Sequence, residues 1–121
     1  MNLLIVIIGA GLGGGFRYLL SGFVQKLLPA FFPYGTLAVN VVGSIILGIL
    51  IFGFDEKGLL NPSLRLLIGV GFCGGLTTFS TFSFETFYLI RDTEFFLAGV
   101  NILGNVIFTL IGIYLGYLIT R

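Results

Sequence analysis

The chain has no histidine and a single cysteine, Cys73, among its 121 residues. One cysteine rules out an intrachain disulfide, and without histidine the ligand sets of the usual zinc and transition-metal centres cannot be assembled. Charge is equally scarce: six Lys and Arg against five Asp and Glu leave a net charge of +1 and a charged fraction of 9%. Soluble domains carry roughly 25% charged residues, so an ordinary soluble domain is excluded. So small a basic excess offers no patch to nucleic acid. Within the apolar stretches Glu85 is the only candidate carboxylate, with no second acid beside it and no Ser-His or Cys-His pair to activate a nucleophile. That composition argues against an enzyme. The run from Gly74 to Thr78 also lacks the lysine and the spacing of a phosphate loop.

What the chain does contain is apolar sequence and glycine. Hydrophobic residues make up 57%, and a spanning helix needs about 20 of them in a row. There is room for four spans and little else, which predicts an all-α membrane protein: a single four-helix transmembrane domain over residues 1–121. The spans are expected at about residues 2–28, 34–54, 64–90 and 95–120. The N-terminus lacks a basic leader region and runs straight into more apolar sequence, as expected of a first span rather than a cleaved signal. Glycine, at 19 residues, is about twice as frequent as usual. In membranes such abundance goes with close helix–helix approach, and Gly9/Gly13, Gly11/Gly15 and Gly112/Gly116 have the spacing for it.

The third span organises the rest. Gly71, Gly74 and Gly75 precede Thr77, Thr78, Ser80, Thr81 and Ser83, and paired glycines followed by β-branched hydroxyl residues make a poor continuous helix. Non-helical backbone at membrane depth is tolerated only where protein buries it or where it lines a polar cavity. The expectation is a helix broken near mid-membrane, the kind of place where channels and transporters hold ions.

Other polar residues admit two readings each. Arg17, deep in the first span, is either a side chain snorkelling from near the span's end or a fixed positive charge at a vestibule. Thr36, Asn40 and Ser44 lie four residues apart on one face of the second span, serving inter-helix hydrogen bonds or lining a pore. Asn101, Asn105 and Thr109 repeat that spacing in the fourth span. Phe79 and Phe82 stand three apart, as do Phe84 and Phe87. Such spacing more often means packing, yet hydroxyls interleave with these rings, and ring edges carry positive charge that an anion can touch without being trapped. Carbonyls freed at a Gly74–Thr78 break would suit a cation instead.

Four spans put both termini on one side, with Lys57, Arg65 and Arg121, against Lys26 and Arg91 opposite. That is almost no bias in the charges that set orientation. A chain free to insert either way can pair as an antiparallel dimer.

Three stretches, Gly14-Gly-Phe-Arg17-Tyr18, Gly35-Thr-Leu-Ala-Val-Asn40-Val-Val-Gly43-Ser44 and Gly71-Phe-Cys-Gly-Gly-Leu-Thr-Thr-Phe-Ser-Thr-Phe-Ser83, together resemble the Fluc (CrcB) fluoride channels, and the likeness runs through all four spans. Ile45 stands where many members carry phenylalanine. The resemblance implies a dual-topology antiparallel homodimer, a multi-pass protein of the bacterial plasma membrane surrounded by lipid. It would have two fluoride pores and would export cytoplasmic fluoride passively, relieving its toxicity. By the same resemblance Phe79 and Phe82 would line the fluoride path with their ring edges, Asn40 would be a pore-side amide donor, and Ser80 and Thr81 would add hydroxyls near the break. Arg17 would sit at the cytoplasmic vestibule. Backbone carbonyls of Gly74 and Thr77 from both subunits would hold a structural sodium ion (Na+). The alternative is a proton-coupled small multidrug-type exporter, which needs a carboxylate in the first span, where this chain has Arg17 and no acid. A holin-like assembly subunit would account for the glycines and leave the hydroxyl-rich third span without a role.

Overall fold

The four apolar runs form helices long and apolar enough to cross a membrane: Asn2–Leu27, Tyr34–Asp55, Pro62–Arg91 and Phe95–Thr120. They come from a computed structural model that describes every one of residues 1–121. We label them α1 (Asn2–Leu27), α2 (Tyr34–Asp55), α3 (residues 62–76), α4 (Ser80–Arg91) and α5 (Phe95–Thr120). Asn61 opens α3 by accepting the Leu64 N–H at its Oδ1 (2.8 Å), with Pro62 following in the first turn. Asn is favoured there because its side chain accepts a first-turn N–H that has no helical carbonyl, and Pro because the N–H it lacks would go unpartnered in that turn. The winding then widens to a π-helix over Arg65–Cys73, and α2 does the same over Ile51–Asp55. Nine π-wound residues are unusual, since such turns mostly occur singly and often at functional sites. Helical conformation ends at Leu76, Thr77 is extended (φ −88°, ψ 159°), and α4 starts at Ser80.

Glycines determine which helices touch. A methyl group added to Gly9 of α1 would lie 3.0 Å from the Gly71 Cα of α3, and one added to Gly116 of α5 would lie 2.7 Å from the Ile49 nitrogen of α2. The missing side chains therefore let α1 seat on α3 and α2 on α5 at backbone distance. Gly11 and Gly15, one position round α1, have open space before them.

Only 21 of the 121 residues are buried, and five of those are polar: Thr36, Asn40, Thr86, Asn101 and Asn105. Large apolar side chains such as Leu12, Leu19, Phe96 and Leu110 face outward. Apolar surface all round and amides within is the arrangement of spans surrounded by lipid.

Candidate functional site

The residues that stop α3 also decide what gathers around the stop. In a continuous helix the Thr78 N–H would bond the Gly74 carbonyl, and the Thr81 N–H would bond that of Thr77. With Thr77 extended, neither reaches. Instead the Thr78 N–H donates to Asn40 Oδ1 (2.8 Å) and the Thr81 N–H donates to Thr78 Oγ1 (3.2 Å). The carbonyls of Gly74 and Thr77 thereby lose their helical donors. Thr77 Oγ1 turns back to donate to the Cys73 carbonyl (2.9 Å), and Arg17 Nε donates across from α1 to the Gly75 carbonyl (3.0 Å).

Asn40, in the N-terminal third of α2, clasps this segment from the other side. Its Nδ2 donates to the Thr78 carbonyl (3.2 Å) and to Asn105 Oδ1 of α5 (2.8 Å). Both asparagines are more than nine-tenths buried. Because they satisfy one another, their burial avoids the penalty of roughly 1–3 kcal/mol for an unpaired polar group. Ser44 Oγ donates to the Asn40 carbonyl (2.8 Å) and Thr109 Oγ1 donates to the Asn105 carbonyl (2.5 Å), each one turn back along its own helix.

Between α2, α3 and α5 lies a cleft of about 420 Å³ with Phe79 and Phe82 at its margin. Their ring centroids are 5.4 Å apart at 57°, and Phe79 is 77% exposed. The polar side chains in the lining are Asn40, Ser44, Thr77, Thr78, Asn105 and Thr109, none of them charged. Positive ring edges and the Thr78 hydroxyl, whose proton no carbonyl takes, can contact an anion weakly. The other donors can do so only by exchanging a hydrogen bond they already make, and no fixed charge is present to hold the ion.

Of the residues the sequence singles out, Gly74, Thr77, Asn40, Phe79 and Phe82 meet at this cleft. Ser80 and Thr81 do not line it. They begin α4 just beyond, with Ser80 Oγ 3.5 Å from Thr78 Oγ1. Arg17, half-buried, lies behind α3 against the Gly75 carbonyl. Thr36 is buried away from the cleft, whereas Ser44 reaches it. Asn105 and Thr109 join the lining without an assigned role in the sequence reading, where their only signal was the four-residue repeat. Glu85 faces a second cleft of about 540 Å³ with Gln25 and Tyr88. Its Oε1 is sealed from solvent and has no hydrogen-bond partner.

Four helices able to cross a membrane, with uncharged donors collected among them, define a multi-pass membrane protein. The chain belongs to the family described as CrcB-like protein, Camphor Resistance (CrcB), which matches residues 4–117. It is similar to proteins named fluoride-specific ion channel FluC. That of Pyrococcus abyssi is 46% identical over all of this chain and 99% of the relative. That of Pyrococcus horikoshii is 46% identical over 97% of this chain and 94% of the relative. The Geobacter sulfurreducens protein is 47% identical over 87% and 85% respectively.

Proposed function

We infer that the chain is a fluoride-selective ion channel through which cytoplasmic fluoride leaves the cell passively, relieving its toxicity. Relatives 46% identical over 94–99% of their own lengths carry that name. The observation that carries the reading is the uncharged cleft in which Phe79, Phe82, Asn40 and Thr78 converge. A small anion must shed water to enter, and neutral donors replace that water without a buried counter-charge. Phe79 and Phe82 offer ring edges along the path. Both Asn40 amide protons are engaged, with Thr78 and Asn105, so an ion that takes one displaces an existing hydrogen bond, which keeps its net binding weak enough to leave. Ser80 and Thr81 place hydroxyls at the start of α4, and Arg17 contributes positive charge at the cytoplasmic vestibule.

The working unit is an antiparallel, dual-topology homodimer in lipid, with two pores and a broken third span in each copy. Two features support it. Gly74 is exposed on the cleft, and nothing stands within 4 Å of where its Cβ would be. A second backbone can approach there without obstruction. The Gly74 and Thr77 carbonyls, deprived of helical donors, are hard oxygens of the kind that replace a small cation's hydration shell. One chain supplies too few of them, so a structural sodium ion would be held by this pair from each copy. When bound it would contribute cohesion rather than chemistry.

The proton-coupled exporter is the weaker reading, because α1 contains no carboxylate and its Arg17 is already hydrogen-bonded. A fluoride electrode reading release from proteoliposomes tests the channel. Wild-type protein should release fluoride, Phe82→Ala should slow release about tenfold or more, equivalent to about 1.4 kcal/mol, and Phe87→Ala, outside the cleft, should not. Equal rates for all three would remove the rings from the path.

A further inference from the structure

We propose that Thr86 and Asn101, which do not line the cleft, are positioning residues that set the direction of a buried hydrogen-bond relay holding Asn40 against Thr78. The relay starts on α4. A carbonyl can only accept, so the Thr86 hydroxyl proton is committed to the Phe82 carbonyl (2.7 Å). Its oxygen remains to accept, and Asn101 Nδ2 donates to it (2.9 Å). An asparagine amide has one donor end and one acceptor end. With its nitrogen turned to Thr86, Asn101 presents Oδ1 to Asn105, whose Nδ2 donates to it (3.1 Å) and to the Asn101 carbonyl (2.9 Å). Asn105 Oδ1 is then left facing Asn40 and accepts from its Nδ2 (2.8 Å). Asn40 in turn has only Oδ1 to offer the Thr78 N–H (2.8 Å).

One direction therefore runs from the Phe82 carbonyl, through α5 and α2, to the N–H of Thr78. Each link fixes which way the next amide points. Reversing any one would set donor against donor or acceptor against acceptor. Water cannot repair such a mismatch here: Asn101 is 0% exposed, Asn105 6%, Thr86 7% and Asn40 8%. The device ties both ends of the segment that bears Phe79 and Phe82 to neighbouring helices. Networks of this kind give more than the sum of their pairs when complete and fail together when cut. Only the transport readout below rests on the fluoride-channel reading.

Thr86→Val keeps the shape of the side chain and removes both of its hydrogen-bonding functions, and Thr86→Ser restores them. Asn101→Leu cuts the next link. The amide proton resonance of Thr78, recorded in detergent micelles without fluoride, and fluoride efflux from proteoliposomes are read for each. Thr86→Val and Asn101→Leu should both move the Thr78 resonance upfield and lower efflux several-fold. Thr86→Ser should match wild type in both measurements, and the double variant Thr86→Val/Asn101→Leu should be no worse than either single one. Should Thr86→Val fail to fold, Thr86→Ala is read in its place against Thr86→Ser. An unmoved Thr78 resonance, equal behaviour of valine and serine, or losses that add would overturn the relay and leave ordinary packing between helices. If wild-type protein carried no fluoride, the channel reading would fall, and the resonance would still decide for or against the relay.

Discussion

Asparagine is a demanding residue to place in an apolar helix, because all of its donors and acceptors must be matched without water. Asn40 meets that demand by substituting for the helix itself, taking the Thr78 N–H that Gly74 would otherwise receive. Asn40→Asp should expose what this requires. The carboxylate cannot donate, so the Thr78 carbonyl and Asn105 Oδ1 would face a negative oxygen. Stability should fall by roughly 1–3 kcal/mol or more, read as thermal unfolding in detergent, and fluoride efflux should fall with it. A variant with wild-type melting and flux would show that the clasp contributes neither. At this scale the sequence revealed residue types and spacing: the four-residue rhythm of Thr36, Asn40 and Ser44, and the rings Phe79 and Phe82. It could not reveal partners. Asn40 and Asn105 are 65 positions apart, and Arg17 and Gly75 are 58 apart. No local pattern encodes such a pairing, which depends on how separate helices are set side by side. Glu85 shows the same limit, since its place in a separate cleft follows from the packing of α4 and not from its neighbours in sequence.

At the scale of elements, the apolar runs were legible because membrane thickness fixes their length. The π winding of Arg65–Cys73 was not. The same residues can pair one turn apart in either manner, and composition carries no trace of the choice. Glycine spacing announced close packing but not its direction: Gly9 and Gly13 meet α3, whereas Gly11 and Gly15 meet nothing within the chain. Gly48 and Gly11 separate the two situations experimentally. A Cβ at Gly48 would fall 2.6 Å from the Ile113 carbonyl oxygen, while one at Gly11 has open space. Gly48→Val should push α2 from α5 and lower stability by about 1–3 kcal/mol, the usual effect of overpacking. Gly11→Ala should be neutral or stabilising, by up to about 1 kcal/mol of helix propensity. Melting in detergent distinguishes them, and equal effects would contradict the packing described.

For the whole molecule the decisive surface is the one a single copy leaves open. Gly74 is exposed beside the cleft and no atom of its own chain opposes it. Gly74→Val should therefore leave helix content unchanged in circular dichroism yet weaken the proposed dimer in light scattering from detergent solution, with loss of flux. A variant that remained dimeric and active would place the two-fold contact elsewhere. Lys57, Arg65 and Arg121 on one side nearly balance Lys26 and Arg91 on the other, the absence of bias that the proposed pairing with an inverted copy requires. The most direct measurement is fluoride efflux from proteoliposomes held at a potassium potential with valinomycin, with no proton gradient imposed and chloride as the comparison ion. Efflux of fluoride that follows the clamped potential and exceeds that of chloride is the predicted result. Fluoride movement that appears only when a proton gradient is supplied would contradict a passive channel.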